Sequence, residues 1–388
     1  MSYASLDQRI EALRDRLWRV NTFIHSHPET NFKEVRAASR LISELRDDGF
    51  VVQEGAGGVP TGFIAAKGND RPTIAFLAEY DALPDIGHAC GHNLIATASL
   101  GAGLGLAAEY QHKGQIRVIG CPAEEGGGGK IRLMEQGMFD DVDVALMFHP
   151  GNETVMILRN LGIVGQRFEF HGRAAHAAVA PELGINALEA VLLTFQSVNA
   201  LRQHIPLTTR VHGIILQGGS AANVVPEVAS AEFLVRAATI TELDDIRRRV
   251  ENCARAAALA TGAQLTIDAT VPQYAPIRVN ETLSKVFAQH AADLGVNIEK
   301  SEGQRNGSTD LGNVSYRLPV IHPVLRITPD NIVNHSQGFA QQAGDVEAFE
   351  VAILAAKALA RTGLDLLEDE HVLKAAQEEW HHMTMSQT

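Results

Sequence analysis

Glu79-Tyr80-Asp81-Ala82-Leu83-Pro84 and, after three further residues, His88-Ala89-Cys90-Gly91-His92-Asn93 decide how this chain is read. An apolar segment, Thr73–Ala78, precedes them, and a long Ala/Gly/Leu segment, Leu94–Ala108, follows. The order is the end of a buried strand, a loop and the start of a helix. In open α/β sheets such loops lie at the carboxyl ends of the strands, where ligands bind. Cys90 and His92 stand two residues apart, so one loop can aim both at one point. Thiolate and imidazole together suit Zn²⁺ or a similar borderline metal. Taken alone, the pair also fits a small buried cysteine and a helix-start histidine.

The same arrangement recurs outward from this stretch. A strand over Gln115–Gly120 runs into Cys121-Pro122-Ala123-Glu124-Glu125 and four glycines, Gly126–Gly129. Neighbouring carboxylates cannot point the same way from a regular strand. In a loop they can divide roles, one binding metal and one holding a water and moving its proton. A further strand, Val142–Phe148, ends in His149-Pro150, and His335 lies in a polar loop. Three strands thus deliver polar residues at one end. Cys90, His92, Glu125, His149 and His335 supply five ligands on sheet-edge loops, enough for two metals sharing a bridge. His25, His27, His371, His381 and His382 lack this context and read as surface residues. Toward the N-terminus, Ile10, Leu13, Leu17 and Val20 mark one amphipathic helix over Leu6–Asn21, broken by His25-Ser26-His27-Pro28-Glu29. A second helix spans Val35–Asp48. The helix through Leu94–Tyr110 carries Gly101, Gly103 and Gly105, whose alternation points to close packing rather than to a dinucleotide fingerprint.

The pattern changes in the second half. Strands are expected over Gly165–His171, Val211–Gln217, Glu232–Arg236 and Ala263–Thr270, with helices over Asn186–Arg202 and Thr241–Ala260. The order β-α-β-β-α-β is a ferredoxin-like unit. After it the alternating pattern resumes. The fold class expected is α/β: a three-layer α/β domain, residues 1–164 and 278–388, with an inserted ferredoxin-like α+β domain, residues 165–277.

A chain of 388 residues exceeds one core, in keeping with two domains. The excess of 46 acidic over 33 basic residues, a formal charge of −13, argues against nucleic acid or an anionic membrane as partner. A local arginine can still bind an anionic small substrate. Three widely spaced cysteines imply no disulfide framework and a reducing compartment. The first residues lack the pattern of a signal peptide, and no run reaches the roughly 20 apolar residues of a membrane span. The cytoplasm is the expected location.

With these segments in hand, the chain resembles the M20 metallopeptidase/amidohydrolase family over nearly its whole length. The matching segments are the two quoted first, Pro122-Ala123-Glu124-Glu125-Gly126, Gly172-Arg173-Ala174-Ala175-His176-Ala177, Asn223-Val224-Val225-Pro226-Glu227 and Gly307-Ser308-Thr309-Asp310. Cys90-Gly91-His92 is similar to the amidohydrolase branch. Asn93 is similar to aminobenzoyl-glutamate hydrolase subunits and β-alanyl-lysine-type dipeptidases.

The resemblance implies a homodimeric hydrolase, its discontinuous domain the metallohydrolase domain and its insert a lid and dimerisation domain, with two divalent ions per chain, Zn²⁺ or Mn²⁺, with Co²⁺ or Ni²⁺ as further options. It assigns Cys90, His92, Glu125, His149 and His335 as ligands, Glu124 as general base, and Asp81 as the residue orienting a ligand. It gives His176 the oxyanion of a partner subunit's site, and Asn223 and Arg236 the substrate carboxylate. Thr309 and Asp310 line the pocket. The substrate implied is a small amide bearing a carboxylate: an N-acyl or N-aroyl amino acid or an unusual dipeptide. Two alternatives share the scaffold, an aryl-amine or amidine deaminase and a non-catalytic accessory subunit. Two positions depart from the family pattern. Glu79 stands where peptidase branches have a histidine ligand, so one metal is expected to be held weakly or differently. Asn93 replaces an aspartate of the hormone-conjugate amidohydrolases.

Overall fold

The strand that leads into the quoted stretch is buried at every one of its positions, the signature of a central parallel strand covered on both faces. A computed structural model describes residues 2–108, 114–305, 307–329 and 331–385. It divides into two compact units: Met1–Arg159 with Ile277–Arg305 and Asp310–Thr388, and Asn160–Pro276 with Asn306–Thr309.

The first unit opens with helices α1 (Tyr3–Ala12), α2 (Arg14–Ser26) and α3 (Val35–Asp47). The single helix expected over Leu6–Asn21 is two, parted at Leu13. One apolar stripe, Leu6, Ile10, Leu17 and Val20, is buried through both, so the periodicity crosses the break unchanged. Strands β1 (Val51–Glu54), β2 (Phe63–Lys67) and β3 (Thr73–Glu79) follow, then α4 (His92–Ala107). Every residue of α4 is buried, as a helix apolar all round must be. The end of its expected span, at Tyr110, lies outside the described residues. Next come β4 (Gln115–Cys121), α5 (Gly129–Glu135), β5 (Val144–Leu146), β6 (His149–Gly151) and β7 (Val155–Asn160).

The second unit runs β8 (Gly162–His171), α6 (Ala187–Arg202), β9 (Arg210–Gln217), β10 (Val228–Ala237), α7 (Ile240–Thr261), β11 (Gln264–Tyr274). Its antiparallel sheet has the order β11-β8-β10-β9. Phe168, Phe170 and Phe233 from the sheet and Val191, Val198, Ile246 and Val250 from the helices make its core. β9 is an edge strand, and Ile214, Ile215 and Leu216 on it are exposed.

The first unit then resumes with α8 (Glu281–Asp293), β12 (Lys300–Arg305), α9 (Leu311–Ser315), β13 (Val320–Ile321), β14 (Val324–Arg326), α10 (Gln337–Gln342), α11 (Val346–Glu368) and α12 (Glu370–Met385). Its main sheet has the order β1-β2-β4-β3-β5-β13, with β3, β4, β5 and β13 parallel. The carboxyl ends of these strands therefore share one edge.

A second sheet in this unit, β12-β7-β14-β6, has no counterpart in the sequence pattern. It changes the place of His149. The strand expected over Val142–Phe148 stops at Leu146, and His149 opens β6 rather than closing β5. The parallel pairs β5–β13 and β6–β14 pass from one sheet to the other together, which a run of apolar residues does not reveal.

Candidate metal centre

Five side chains converge at the carboxyl edge of the main sheet. Gly91 makes the turn into α4. Its φ is 77°, and a Cβ there would lie 2.6 Å from Pro150 Cγ, so only glycine brings the Cys90–His92 loop this close to β6. His92 is fully buried at the first turn of α4. Its Nδ1 donates to Asp81 Oδ1 at 2.9 Å, which turns Nε2 toward the acids of the site. The other Asp81 oxygen accepts from the backbone N–H of Glu125 at 2.9 Å. One buried carboxylate thus locks two loops in register. His149 Nδ1 donates to the Pro150 carbonyl at 2.7 Å, and its Nε2 lies 3.5 Å from Cys90 Sγ. His335 is half exposed. Its backbone N–H donates to Ala89 O, and its Nε2 lies 3.1 Å from Glu125 Oε1.

The donor atoms form two overlapping triads, Cys90–His92–His149 and Cys90–Glu125–His335, each with its atoms within 4.8 Å of one another. They share Cys90. All five ligand candidates read from the sequence are brought together.

The inner side of the site is a carboxylate cluster. Glu124 falls in two further groups within the same distance, one with His92 and Glu125, the other with Glu79 and Asp310. Burial first, then the neighbouring carboxylates of Glu79, Glu125 and Asp310, pushes the Glu124 carboxyl well above its ordinary range. Burial opposes charge on Asp81 and Glu125 also, but it is outweighed, by His92 for Asp81 and by His335 and His92 for Glu125, and both are held below the usual value. Burial pulls the His92 imidazole down, yet Asp81 and Cys90 outweigh it and hold it well up.

Lys130 is the functional residue that sequence reasoning missed. Its side chain is fully buried, with Nζ donating to Glu79 Oε1 and to Asp310 Oδ1. Its backbone N–H donates to Asp310 Oδ2 at 2.9 Å. Burial disfavours the ammonium, but Asp310 and Glu79 overcome this and raise it well above the ordinary lysine value. The signal available was a lysine directly after a glycine run, in a chain with two unassigned acids. Asp310, expected to line an open pocket, is instead wholly buried, and both its oxygens face Lys130.

His176, Asn223, Arg236 and Thr309 belong to the second unit. His176 and Asn223 are exposed, and the Asn223 carbonyl accepts from Ala177 N at 3.0 Å. Arg236 Nη1 donates to Ser308 Oγ at 2.8 Å, which brings Gly307-Ser308-Thr309 against β10. Thr309 is buried.

The donor set fits divalent metal. His92 Nε2 and Glu79 Oε2 are buried 3.5 Å apart, and among the described residues neither has a hydrogen-bond partner. Such atoms are costly unless a cation satisfies them. Asp81→Asn is therefore expected to weaken apparent metal affinity about 10–100-fold, measured by chelator competition. Affinity equal to the parent chain would remove Asp81 from the support of the site.

Comparison with known proteins agrees with this architecture. Residues 158–262 match the family model described as peptidase dimerisation domain. An Xaa-Arg dipeptidase of Mus musculus is 37% identical over 392 residues, covering 96% of this chain and 90% of the relative. A p-aminobenzoyl-glutamate hydrolase subunit of Escherichia coli (strain K12) is 32% identical over 464 residues, covering 99% of this chain and 96% of the relative. A solved dinuclear metal binding peptidase of the M20 family from Bacillus subtilis superimposes with a TM-score of 0.70 at 21% identity, covering 92% of this chain and 99% of that one.

Proposed function

The chain belongs to the M20 family and is an enzyme of hydrolase type, and from that premise we propose that it cleaves the amide bond of an N-acyl or N-aroyl amino acid or an unusual dipeptide. The observation that carries this reading is the pair of donor triads sharing Cys90. Cys90, His92 and His149 would hold one divalent ion, and Cys90, Glu125 and His335 a second. The thiolate favours Zn²⁺, and the carboxylate and imidazoles also suit Mn²⁺, Co²⁺ or Ni²⁺. When bound, such ions polarise the amide carbonyl and acidify water.

The protein's own groups then do the following. Asp81 keeps His92 in one tautomer and orientation. Glu124 takes the proton of the attacking water and returns it to the leaving amine. Lys130 ties Glu79 and Asp310 together behind Glu124. Arg236, whose planar fork suits a carboxylate, reads the acid end of the substrate together with Asn223 and Thr309. His176 stabilises the oxyanion. The exposed apolar edge strand β9 supports pairing with a second copy of the chain, the homodimer in which His176 would act on the partner's site. No described helix is long and apolar enough to cross a membrane.

The deciding experiment uses purified chain loaded with Zn²⁺ or Mn²⁺ against a panel of N-acyl amino acids, aminobenzoyl-glutamate and dipeptides. Release of a free amino acid, abolished by chelator and restored by metal, is expected. Ammonia in place of amino acid turns the reading to the deaminase. No product from the metal-loaded chain removes the hydrolase reading. A fully active monomer in sedimentation removes the role given to His176.

A further inference from the structure

The segment between α2 and α3 reads in the sequence as a helix break, yet it reaches both loops of the metal centre. The Glu29 carbonyl accepts from Ala82 N at 2.8 Å, next to Asp81. Asn31 Nδ2 donates to the Glu125 carbonyl at 2.8 Å. Glu34 is completely buried, and its Oε1 accepts from two backbone N–H groups at 2.9 Å, those of Phe32 and Ala123. Its Oε2 accepts from Thr61 Oγ1 at 2.9 Å.

Ala123 and Phe32 both have left-handed backbones, with φ of 57° and 60°. Residues bearing a Cβ rarely hold that conformation, and a surrounding contact must fix it. Ala123 directly precedes Glu124 and Glu125. The plain alternative, that Glu34 serves only to start α3, does not match the contacts. The carboxylate that caps α3 is Glu29, which accepts from Arg36 N and Ala37 N. The side chain of Glu34 turns away to the metal-centre loop.

We propose that Glu34 is a positioning residue, whose Oε1 holds Ala123 left-handed and thereby aims Glu124 and Glu125 into the site. The inference rests on the roles given above to those two residues. Glu34 acts as an acceptor rather than as a charge. Burial pushes its carboxyl up to about 7, and protonation on Oε2 leaves both N–H groups still bound by Oε1, while Thr61 can accept as well as donate.

The test is a set of three variants read by Zn²⁺ affinity, from competition with a colorimetric chelator, and by turnover. Glu34→Gln keeps the acceptor, and both readings stay within about 3-fold of the parent, whereas Glu34→Met keeps the volume, removes the acceptor and loses ~10–100-fold in affinity or turnover. Ala123→Gly relaxes the backbone, since glycine takes positive φ freely. In that background Glu34→Met is expected to lose much less.

Equal losses in the Gln and Met variants, or a Met loss that the glycine leaves unchanged, would overturn the proposal. Should Glu34→Met fail to fold alone, folding in the Ala123→Gly background supports the proposal and failure there overturns it. Hydrogen exchange of the 123–127 amides in metal-free chain separates this inference from the hydrolase reading. Exchange is expected to be slow in the parent and Glu34→Gln and fast in Glu34→Met, with or without any activity. Equal exchange in all three sinks the anchor.

Discussion

Glu124→Gln lowers kcat by about 10²–10⁴-fold while metal content stays at the parent level. The choice of Glu124 over its neighbour follows from the contacts. Glu125 completes a donor triad with Cys90 and His335, and its backbone N–H is tied to Asp81. Glu124 belongs to neither triad that contains Cys90. It lies among Glu79, Glu125 and Asp310, and burial together with that crowding raises its affinity for a proton. A glutamine in its place keeps the shape and relieves the crowding, so the fold gains if anything. Turnover and metal by elemental analysis, measured on one preparation, separate the two roles open to this residue. Turnover lost with metal retained is the expected outcome. Turnover and metal lost together would make Glu124 a ligand, and near-parent turnover would remove it as base.

Lys130→Met costs about 3–5 kcal/mol of stability, because removing one partner leaves buried like charges without compensation. The two acids it holds, Glu79 and Asp310, are as buried as the lysine. The expected fall in melting temperature is roughly 10 °C for a unit of this size. Pairing the change with Glu79→Gln removes one of the two stranded charges, and a large part of the loss should return. Calorimetry on the single and double variants checks both statements. A single variant that melts with the parent would show that the ammonium contributes nothing net. A double variant less stable than the single would show that Glu79 is held by something other than Lys130.

What the sequence disclosed of this site has a physical pattern. Cys90, His92, Glu124, Glu125 and His149 were legible because each follows an apolar strand, and a strand end in a parallel sheet is a place with an address. The ferredoxin-like unit was legible because its strands and helices alternate with clear periods. The partners of Lys130 lie 51 and 180 residues away, and no local pattern links residues at that range. A lysine after glycines resembles an exposed helix start until the acids around it are seen. Glu34 was hidden likewise: its neighbour Ala123 is strained, and strain has no composition. The step of His149 into a second sheet was hidden because both halves of the crossing are apolar.

α4 carries His92 at its first residue, and eleven residues further on Gly103 faces Val118 so closely that a Cβ there would lie 2.3 Å from Cγ2. Gly105 stands in the same relation to Ile10, at 2.4 Å. At 1.5 Å per residue, Gly103 sits about 16 Å from the histidine along a stiff rod. Engineers seeking thermostability routinely exchange helical glycine for alanine, a change worth ~1 kcal/mol in an exposed helix. In this helix the added methyl group has no room, and the rod must slide or tilt to admit it. The histidine travels with the rod. These two hydrogens in place of methyl groups act as a gauge block that sets an imidazole far from where they stand, and a stabilisation campaign should leave them alone.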